Sequence, residues 1–475
     1  MVDVLLAHSN HLFHDRKQAQ KMQPYPPLQT LLAAALLREN GISVALCDVT
    51  FDPPEEKFEA LLDSGAPRML VVCEDDFNFL TKMCLGRNRE LSFRMAQMAR
   101  ERGIPAAVHG SDSSDHVPDY LGAGFDYVLI GEVEATLLEL AQGKPAAQIN
   151  GVALADPKTG QPRFNSPRML RTDLDSLPFP AWDLVDIDRY REAWNSAHGF
   201  FSLNIVSSRG CPYRCNWCAK PIWGDNYHAR SPRLVAEEML RLKRDFRPDH
   251  FWFADDIFAL AGPWTNVFAA AVESLGARTP FKMQSRCDLM TEDRVRALQR
   301  SGCSEVWMGA ESGSQRILDA MDKGIRVADI YQARENLRRH GIRANFFLQF
   351  GYLGESWEDI QTTIRMVRET KPDDIGVSVS YPLPGTRFYQ LVASQMGAQS
   401  NWRESGDLAM MFQGAYSTAF YRALAKALHL EVREPEKTED IRRAWSQFDE
   451  LKESHHFPVP QSQAAGRGSL VPLLS

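Results

Sequence analysis

Two runs of alternating strand-like and helix-like segments, separated by a proline-rich stretch, constrain the fold of this chain more than any other feature. In the first run, short apolar segments such as 69–73 alternate with helical segments such as 28–40, which ends at an Asn-Gly stop signal. The same alternation resumes near residue 200. Because strands that alternate with helices form parallel sheets, the sequence predicts an α/β protein with two sheet domains.

The two runs and the stretch between them predict a domain order. Residues 1–145 predict a doubly wound, Rossmann-like parallel sheet, in which ligands bind beyond the carboxyl ends of the strands. Residues 146–198 are rich in Pro, Asp and Asn and predict a hairpin followed by an extended connector. Residues 199–390 predict a partial (β/α)6, TIM-like barrel, in which chemistry gathers at the carboxyl ends of the strands. A helical extension is predicted for 391–453 and a disordered tail for 454–475.

Composition argues against several classes of protein. The chain has 475 residues, a net charge of −7 and a pI near 6.0, so no surplus of positive charge points to a nucleic-acid partner. No window is apolar over the length needed to span a bilayer, and the first residues read as a strand, not as a signal peptide. Eight cysteines, three of them clustered, do not form a disulfide framework, so we expect a reducing cytoplasm.

Three of these cysteines, Cys211, Cys215 and Cys218, stand at CxxxCxxC spacing directly after the apolar segment 203–206. A glycine and a proline beside them favour a loop that leaves the strand. Three thiolates on one loop can hold three irons of a [4Fe–4S] cluster and leave the fourth iron open for a small molecule. A zinc site is the alternative, but a closed zinc site needs four ligands, and the nearest further candidate, His228, lies outside the loop.

The cysteine loop resembles the CxxxCxΦC signature of the radical S-adenosylmethionine (SAM) enzymes, with Trp217 as the aromatic residue before the last cysteine. The resemblance implies that the open iron binds the amino and carboxylate groups of SAM. One electron from the reduced cluster then breaks a carbon–sulfur bond of SAM, usually with release of a 5′-deoxyadenosyl radical. The resemblance also implies an external electron donor of the flavodoxin or ferredoxin type.

Charged residues at the ends of the second and third predicted barrel strands are candidates for binding SAM. Asp255 and Asp256 follow the second strand, and the resemblance implies that they contact the SAM amino group. Capping of the next helix is the alternative for these two carboxylates. Arg286 follows the third strand and is a plausible partner for the SAM carboxylate, because a guanidinium matches carboxylate geometry. An ion pair with a helix surface is the alternative for Arg286.

Two further segments follow the fourth and fifth predicted strands. One contains Glu311, Ser312 and Gly313, looks like the family's Gly-x-Glu-Ser-Gly segment, and implies contacts with the ribose or carboxylate of SAM. Gly313 would let the backbone approach closely. The other contains Gly351 and Gly354 and is similar to a Gly-x-Pro-Gly-Glu segment that packs along the adenine, with leucine here in place of proline.

The first domain resembles the cobalamin-binding domains that are fused to radical SAM cores, through Pro26-Pro27-Leu28 and Gly131-Glu132-Val133-Glu134. The DxHxxG signature of one cobalamin-binding class, which supplies a histidine ligand to cobalt, is absent. The segments 74–78 and 110–112 lie where a ligand would lie. A structural Rossmann-like domain without the cofactor is the alternative. The three histidines within 8–14 do not share one face, so we expect them to be solvated loop residues.

Taken with the domain order, the resemblance implies a cobalamin-dependent radical SAM methyltransferase. Its substrate would be a small molecule of natural-product type, methylated at an unactivated carbon. Transfer of the 3-amino-3-carboxypropyl group of SAM to a heteroatom is an alternative, with the first domain purely structural. A non-catalytic metal-binding module is the third alternative.

Overall fold

Two separate β-sheets, each flanked by helices, form the framework of the chain, as the two runs of alternation predict. The protein is described by a computed structural model that covers residues 2–65, 67–258, 260–397 and 401–454. The predicted disordered tail falls almost entirely on 455–475, outside the described residues. Within the part of the chain that is described, no helix is both long and apolar enough to cross a membrane.

The first sheet contains seven strands in the order β2-β1-β3-β4-β5-β6-β7. The strands are β1 (Val4–Ala7), β2 (Val44–Cys47), β3 (Met69–Cys73), β4 (Ala106–His109), β5 (Tyr127–Leu129), β6 (Val152–Ala155) and β7 (Pro162–Phe164). The first five are parallel, while β6 and β7 are antiparallel. The hairpin predicted after residue 145 therefore exists, and it extends the first sheet.

Helices cover both faces of this sheet, which explains why its central strands are buried apolar runs. The helices are α1 (Arg16–Lys21), α2 (Leu28–Glu39), α3 (Pro54–Gly65), α4 (Phe79–Lys82), α5 (Gly86–Glu101), α6 (Ser111–Asp115), α7 (Val117–Ala123) and α8 (Val133–Ala141). Helices α2 and α8 pack on one face, and α3, α5 and α7 on the other. The strand order reverses between β1 and β3, so the ligand crevice of such a sheet is expected beyond these two strands.

A helix that the sequence did not predict lies in the connector. Helix α9 (Ile187–His198) begins after Asp186, whose side chain accepts hydrogen bonds from the backbone N–H groups of residues 188 and 189. Its Trp194 donates a hydrogen bond of 2.7 Å to the carbonyl of Pro24. The connector therefore packs against the first domain and is not extended throughout.

The second sheet is parallel throughout and has six strands in the order β15-β14-β13-β12-β11-β8, as in a partial barrel. A short antiparallel pair, β9 with β10, follows its first strand. The strands are β8 (Ser202–Ile205), β9 (Ser208–Arg209), β10 (His228–Ala229), β11 (His250–Phe253), β12 (Phe281–Ser285), β13 (Cys303–Glu311), β14 (Arg343–Phe350) and β15 (Asp374–Val379). Consecutive strands are neighbours, so their carboxyl ends form one continuous edge.

Amphipathic helices connect these strands and bury their apolar faces against one large core. The helices are α10 (Pro232–Phe246), α11 (Gly262–Leu275), α12 (Glu292–Ser301), α13 (Gln315–Ala320), α14 (Val327–Arg339), α15 (Trp357–Thr370), α16 (Arg387–Val392), α17 (Thr418–Arg433) and α18 (Thr438–Ser454). Polar N-caps begin several of them; the Ser356 side chain accepts from the Asp359 N–H, and the Asp359 side chain accepts from the Ser356 N–H.

The segment between α16 and α17 returns to the first domain. The Gly86 N–H donates to the Trp402 carbonyl at 2.8 Å, and the Ser405 N–H donates to the Asp15 carboxylate at 2.7 Å. The Trp402 indole stacks on Tyr381, at the end of β15, with ring centroids 4.6 Å apart. The two sheets are therefore joined both by the connector and by this C-terminal segment.

Candidate active site

The cysteine loop leaves β8 and lies between the two sheets. Asn216, between the second and third cysteines, fixes the loop through both its backbone and its side chain. Its N–H donates to the Met321 carbonyl at 3.0 Å, and its carbonyl accepts from the Phe388 N–H at 2.9 Å. The Tyr352 hydroxyl donates to the Asn216 side-chain oxygen at 2.9 Å. Segments that follow β13, β14 and β15 therefore position the loop.

A lysine secures the first half of the loop from within. The Lys220 ammonium donates to the carbonyl of Cys211 at 3.0 Å and to that of Tyr213 at 2.5 Å. The same ammonium pairs with Asp225. Two loop carbonyls thus bind one ammonium group, which stabilises the conformation of this part of the loop.

The three cysteines fit a [4Fe–4S] cluster with one open iron. All three are free, partly exposed thiols. Burial, together with the neighbouring Cys215, Asp256 and Cys211, raises the pKa of the Cys218 thiol to about 12. Irons supply the positive charge that such mutually repelling thiolates need. Within the described residues no three His, Cys, Asp or Glu side chains are gathered around a single-ion site, whereas each cysteine of a cluster bonds a different iron.

Two indole N–H groups near the loop lack a partner within the described part of the chain. They belong to Trp217, inside the loop, and Trp223, just after it, and both nitrogens are buried. Hydrogen-bond donors around iron–sulfur clusters bind the sulfurs and adjust the potential. The unused donors are a further observation that agrees with an anionic group at this loop.

Asp255 lies against the start of the cysteine loop and is buried. Its carboxylate accepts from the Ser207 N–H at 3.2 Å, from the Ser207 hydroxyl at 2.7 Å, and from the Ser208 hydroxyl. Burial raises the pKa of Asp255 to about 6, although these hydrogen bonds favour its ionised form. The next helix begins only after Ala261, so the capping alternative is wrong for Asp255. Its contact with SAM stays a prediction.

Asp256 forms an ion pair that crosses between the domains. Its partner is the ammonium of Lys82, at the end of α4 in the first domain. The ammonium also lies 5.3 Å from the ring centroid of Trp223. Lys82 was not predicted from the sequence, because no local pattern distinguishes it from other lysines. The predicted contact of Asp256 with SAM remains untested.

Arg286 is buried and has several protein partners. Its guanidinium donates to the carbonyls of Lys323 at 2.9 Å and Gly324 at 3.1 Å, and it pairs with Asp288 at 3.0 Å. It also stacks 3.6 Å from the ring centroid of Tyr213 in the cysteine loop. Arg286 therefore ties the loop to the segment after α13. Its ion-pair partner Asp288 lies in a short 3-10 helix (Cys287–Leu289), as the alternative of a helix-surface ion pair predicts, and the role of Arg286 toward the SAM carboxylate stays a prediction.

Glu311 at the end of β13 forms a buried ion pair that the sequence did not reveal. Its carboxylate lies 2.7 Å from the Lys323 ammonium, which is also 6.0 Å from the ring centroid of Trp217. A side chain at Gly309 would come within 2.5 Å of both Glu311 and Lys323, so glycine leaves the space for this pair. The pair thus stands next to the cysteine loop, where Glu311 was predicted to bind SAM.

The neighbours of Glu311 contact a helix. The Ser312 hydroxyl lies 3.1 Å from the Thr363 hydroxyl, and the Gly313 N–H donates to the same Thr363 oxygen at 2.9 Å. A Cβ at Gly313 would come within 2.5 Å of the Thr362 carbonyl. The backbone at Gly313 is therefore packed closely against α15, and its predicted close approach to SAM stays a prediction.

Gly351 and Gly354 form the turn after β14, and both have positive φ angles, of 73° and 79°. The Gly351 N–H donates to the Glu355 carboxylate at 2.6 Å, and the Gly354 carbonyl accepts from Arg316 at 2.9 Å. Burial raises the pKa of Glu355 to about 8. The turn is held by the protein itself, and its predicted contact with adenine has not been tested.

Arg209, two residues before the first cysteine of the loop, belongs to a buried charge network between the domains. Its guanidinium pairs with Glu132 at 2.8 Å and with Glu134. The exposed fractions of the three side chains are 4%, 7% and 3%. Glu134 also accepts from the Gln29 amide at 3.0 Å, and Arg209 lowers the pKa of Glu134 to about 2 against the effect of burial. The segment 131–134 of the first domain thus contacts Arg209 in β9, directly before the cysteine loop.

The carboxyl edge of the first sheet carries buried polar groups and exposed rings. The Ser9 N–H donates to Glu74 at 3.1 Å, and His109 lies 2.5 Å from Asp76. Phe13 and Phe79, which follow β1 and β3, are 53% and 44% exposed. An edge with both kinds of side chain fits a large ligand that has apolar and polar surfaces.

The expectation that the histidines within 8–14 are solvated is wrong for two of them. His8 is 2% exposed and lies 3.1 Å from Asp48, while its Nδ1 atom has no partner within the described part of the chain. His11 is 8% exposed, and its Nδ1 atom lies 2.7 Å from the Val49 carbonyl. Both rings contact the segment directly after β2, and both are buried.

We expect replacement of Glu74 by glutamine to reduce the pH dependence of stability. Burial raises the pKa of Glu74 from 4.5 to about 7, so its contribution to stability is present below pH 4.5 and is lost as the pH rises through 7. At pH 8.5 the free energy of unfolding of the variant should therefore be about 3 kcal/mol higher than that of the wild type. Urea unfolding at pH 5.5 and 8.5 measures this. If both proteins lose equal stability over that range, Glu74 is not the titrating group.

Comparison with known proteins places the second domain in a family. Residues 205–367 match the family model described as "Radical SAM superfamily", and this range contains the cysteine loop and the strands from β9 to β14. The second domain is therefore of the radical SAM type. The family match thus assigns residues 205–367 to the radical SAM superfamily.

Two curated relatives have similar sequences. An uncharacterized methyltransferase of Pyrococcus horikoshii is 28% identical over 283 residues, which cover 59% of this chain and 61% of that protein. The chain thus spans less than two thirds of that relative's length. The hopanoid C-3 methylase of Methylococcus capsulatus is 26% identical over 385 residues, which cover 78% of this chain and 69% of that protein.

A solved structure has a similar fold. The radical SAM methyltransferase TsrM from Kitasatospora setae, determined with cobalamin and a [4Fe–4S] cluster bound, superposes with a TM-score of 0.68. The superposition covers 83% of this chain and 75% of that chain, at 19% sequence identity. The shared fold therefore extends over both sheets of the present chain.

Proposed function

We propose that this chain is a cobalamin-dependent radical SAM methyltransferase that methylates an unactivated carbon of a small molecule. The observation that carries the proposal is the meeting of two strand edges. Phe77 and Glu134, which follow β3 and β5, contact Trp223 and Arg209, which flank the cysteine loop after β8. Ligand sites of both fold types lie at these carboxyl edges, so two cofactors would share one space.

The residues of each edge fit the cofactor proposed for it. Cys211, Cys215 and Cys218 would bind the [4Fe–4S] cluster, and Glu311 with Arg286 would line the SAM site. The crevice beyond β1 and β3, with its exposed rings and the unpartnered Nδ1 atom of His8, would hold cobalamin. When bound, the cluster supplies an electron that cleaves SAM, and cobalamin carries the methyl group.

The protein's own residues would position these groups and exclude water. Arg286 and Lys323 place positive charge beside the loop, which favours anionic ligands there. Tyr352 and Lys220 hold the loop, so little reorganisation is needed when a cofactor binds. A small protein of the flavodoxin or ferredoxin type would supply electrons. The names of the two relatives, a methyltransferase and a methylase, agree with methyl transfer.

Anaerobic reconstitution tests this proposal. Protein loaded with iron, sulfide and hydroxocobalamin and then freed of excess by gel filtration should retain about one cobalamin per chain, measured by absorption. Protein carried through the same steps without cobalamin is the control. Incubation with SAM and a reductant should yield 5′-deoxyadenosine by mass spectrometry. Methylthioadenosine instead would indicate transfer of the 3-amino-3-carboxypropyl group, and absence of bound cobalamin would contradict the methyltransferase proposal.

A further inference from the structure

Five side chains form a continuous series of contacts between the domains, which we call the interdomain stack: Arg209, Phe77, Trp223, Lys82 and Asp256. The Arg209 guanidinium lies 5.7 Å from the ring centroid of Phe77. The Phe77 ring stacks on the Trp223 indole with centroids 5.2 Å apart and an angle of 24° between the ring planes. The Lys82 ammonium lies 5.3 Å from the Trp223 centroid and pairs with Asp256.

Three members of the interdomain stack belong to the second domain and lie around the cysteine loop. Arg209 precedes Cys211 by two residues, Trp223 follows Cys218 by five, and Asp256 lies at the end of the adjacent strand β11. The other two members, Phe77 and Lys82, belong to the first domain. Among the described ion pairs, Asp256 pairs with one cation, Lys82, and this lysine belongs to the first domain.

Asp256 places negative charge where the cluster would bind. Asp256 directly follows Asp255, whose carboxylate accepts from the Ser207 and Ser208 hydroxyls at the start of the cysteine loop. A negative charge beside the loop disfavours the extra electron of a reduced cluster, because reduction adds negative charge at the same place. Lys82 opposes this effect, since its ammonium neutralises Asp256 at hydrogen-bond distance.

We propose that Lys82, a first-domain residue, is a positioning residue of the cluster site that sets the potential of the cluster by neutralising Asp256. This inference rests on the proposed function, because it requires a [4Fe–4S] cluster on the loop. It makes the first domain a contributor to the electron-accepting step in addition to its part in cobalamin binding. A purely structural ion pair would hold the domains together and leave the potential unchanged.

Potentiometric titration of the reconstituted cluster, followed by electron paramagnetic resonance without SAM, tests the proposal. In Lys82→Met, Asp256 loses its counter-charge, so the ratio of reduced to oxidised cluster at a fixed solution potential should fall about tenfold. For a one-electron couple this corresponds to a shift of about 59 mV to more negative potential. Lys82→Arg should retain the wild-type potential, because it keeps the charge.

Two further variants separate charge from structure. Lys82→Met combined with Asp256→Asn removes both charges and should return the potential to the wild-type value. Lys57→Met is the matched control, because Lys57 and Asp52 form a first-domain pair with exposed fractions of 32% and 31%, close to the 27% and 20% of Lys82 and Asp256. An unchanged potential in Lys82→Met, a shift that persists in the double variant, or an equal shift in Lys57→Met would overturn the proposal.

Two further results, a variant that fails to fold and a wild type without a cluster, have their own consequences. If Lys82→Met fails to fold, Asp256→Asn alone should shift the potential in the positive direction, because Lys82 then stands uncompensated; no shift there overturns the inference. A wild-type protein that assembles no cluster, measured by iron and sulfide content, overturns the proposed function and this inference with it.

Discussion

Replacing Cys218 with alanine should abolish cluster assembly and SAM cleavage. The change removes one of three thiolates, and even substitutions among the partners of metal ligands weaken metal binding by about 10–100-fold. We expect bound iron to fall by more than about a hundredfold relative to the wild type, measured by metal analysis after anaerobic reconstitution. Formation of 5′-deoxyadenosine from SAM should then fall below detection.

The chain offers a matched control for this substitution. Cys303 is a buried thiol at the start of β13, away from the loop, and burial raises the pKa of this thiol as it does for Cys218. Cys303→Ala should keep iron binding and SAM cleavage, while circular dichroism shows whether both variants fold. Normal iron content in Cys218→Ala would contradict the assignment of the loop as the cluster site.

Replacing Arg209 with methionine should destabilise the protein by about 3–5 kcal/mol, because it leaves two buried carboxylates without a counter-charge. Urea unfolding monitored by tryptophan fluorescence measures this, and Trp223 in the interdomain stack should report the loss of packing between the domains. Neutralising Glu132 and Glu134 as glutamines in the same variant should recover most of the lost stability, since no unpaired charge then remains.

An exposed ion pair serves as the control for Arg209. Arg233 and Glu237 on α10 lie 2.8 Å apart, and their side chains are 71% and 40% exposed. Arg233→Met should change stability by less than about 1 kcal/mol, because water already screens this pair. A comparably small change in Arg209→Met would show that the network contributes nothing beyond a surface pair.

The sequence predicted the strands of both sheets well because most are short apolar runs between turn residues. The predicted segment 69–73 coincides with β3, where burial on both faces leaves little variation in residue type. Helices α4 and α6 were not predicted, because they have four and five residues and no apolar period can develop over that length. Helix α9 was not predicted, because the proline-rich composition before it favoured an extended connector.

The candidate site was predictable only where a local motif exists. The cysteine loop has characteristic spacing, so its position could be inferred from the sequence alone. The partners of Arg209 and Asp256 lie 75 and 174 residues away in the chain, and no local pattern connects such charges. For Gly313 the sequence predicted a close contact of the backbone, but the neighbour in the structure is helix α15.

The C-terminal segment that follows α16 has a consequence for how molecules reach the space between the sheets. Residues 402 and 405 hydrogen-bond to the first domain, and the connector joins the two domains through the chain itself. Rotation of the domains away from each other about the connector would break the hydrogen bonds from the Ser405 N–H to Asp15 and from the Gly86 N–H to the Trp402 carbonyl. Separation of the domains by rotation about the connector is thus opposed by a second attachment, and we expect substrate to exchange while both attachments stay in place.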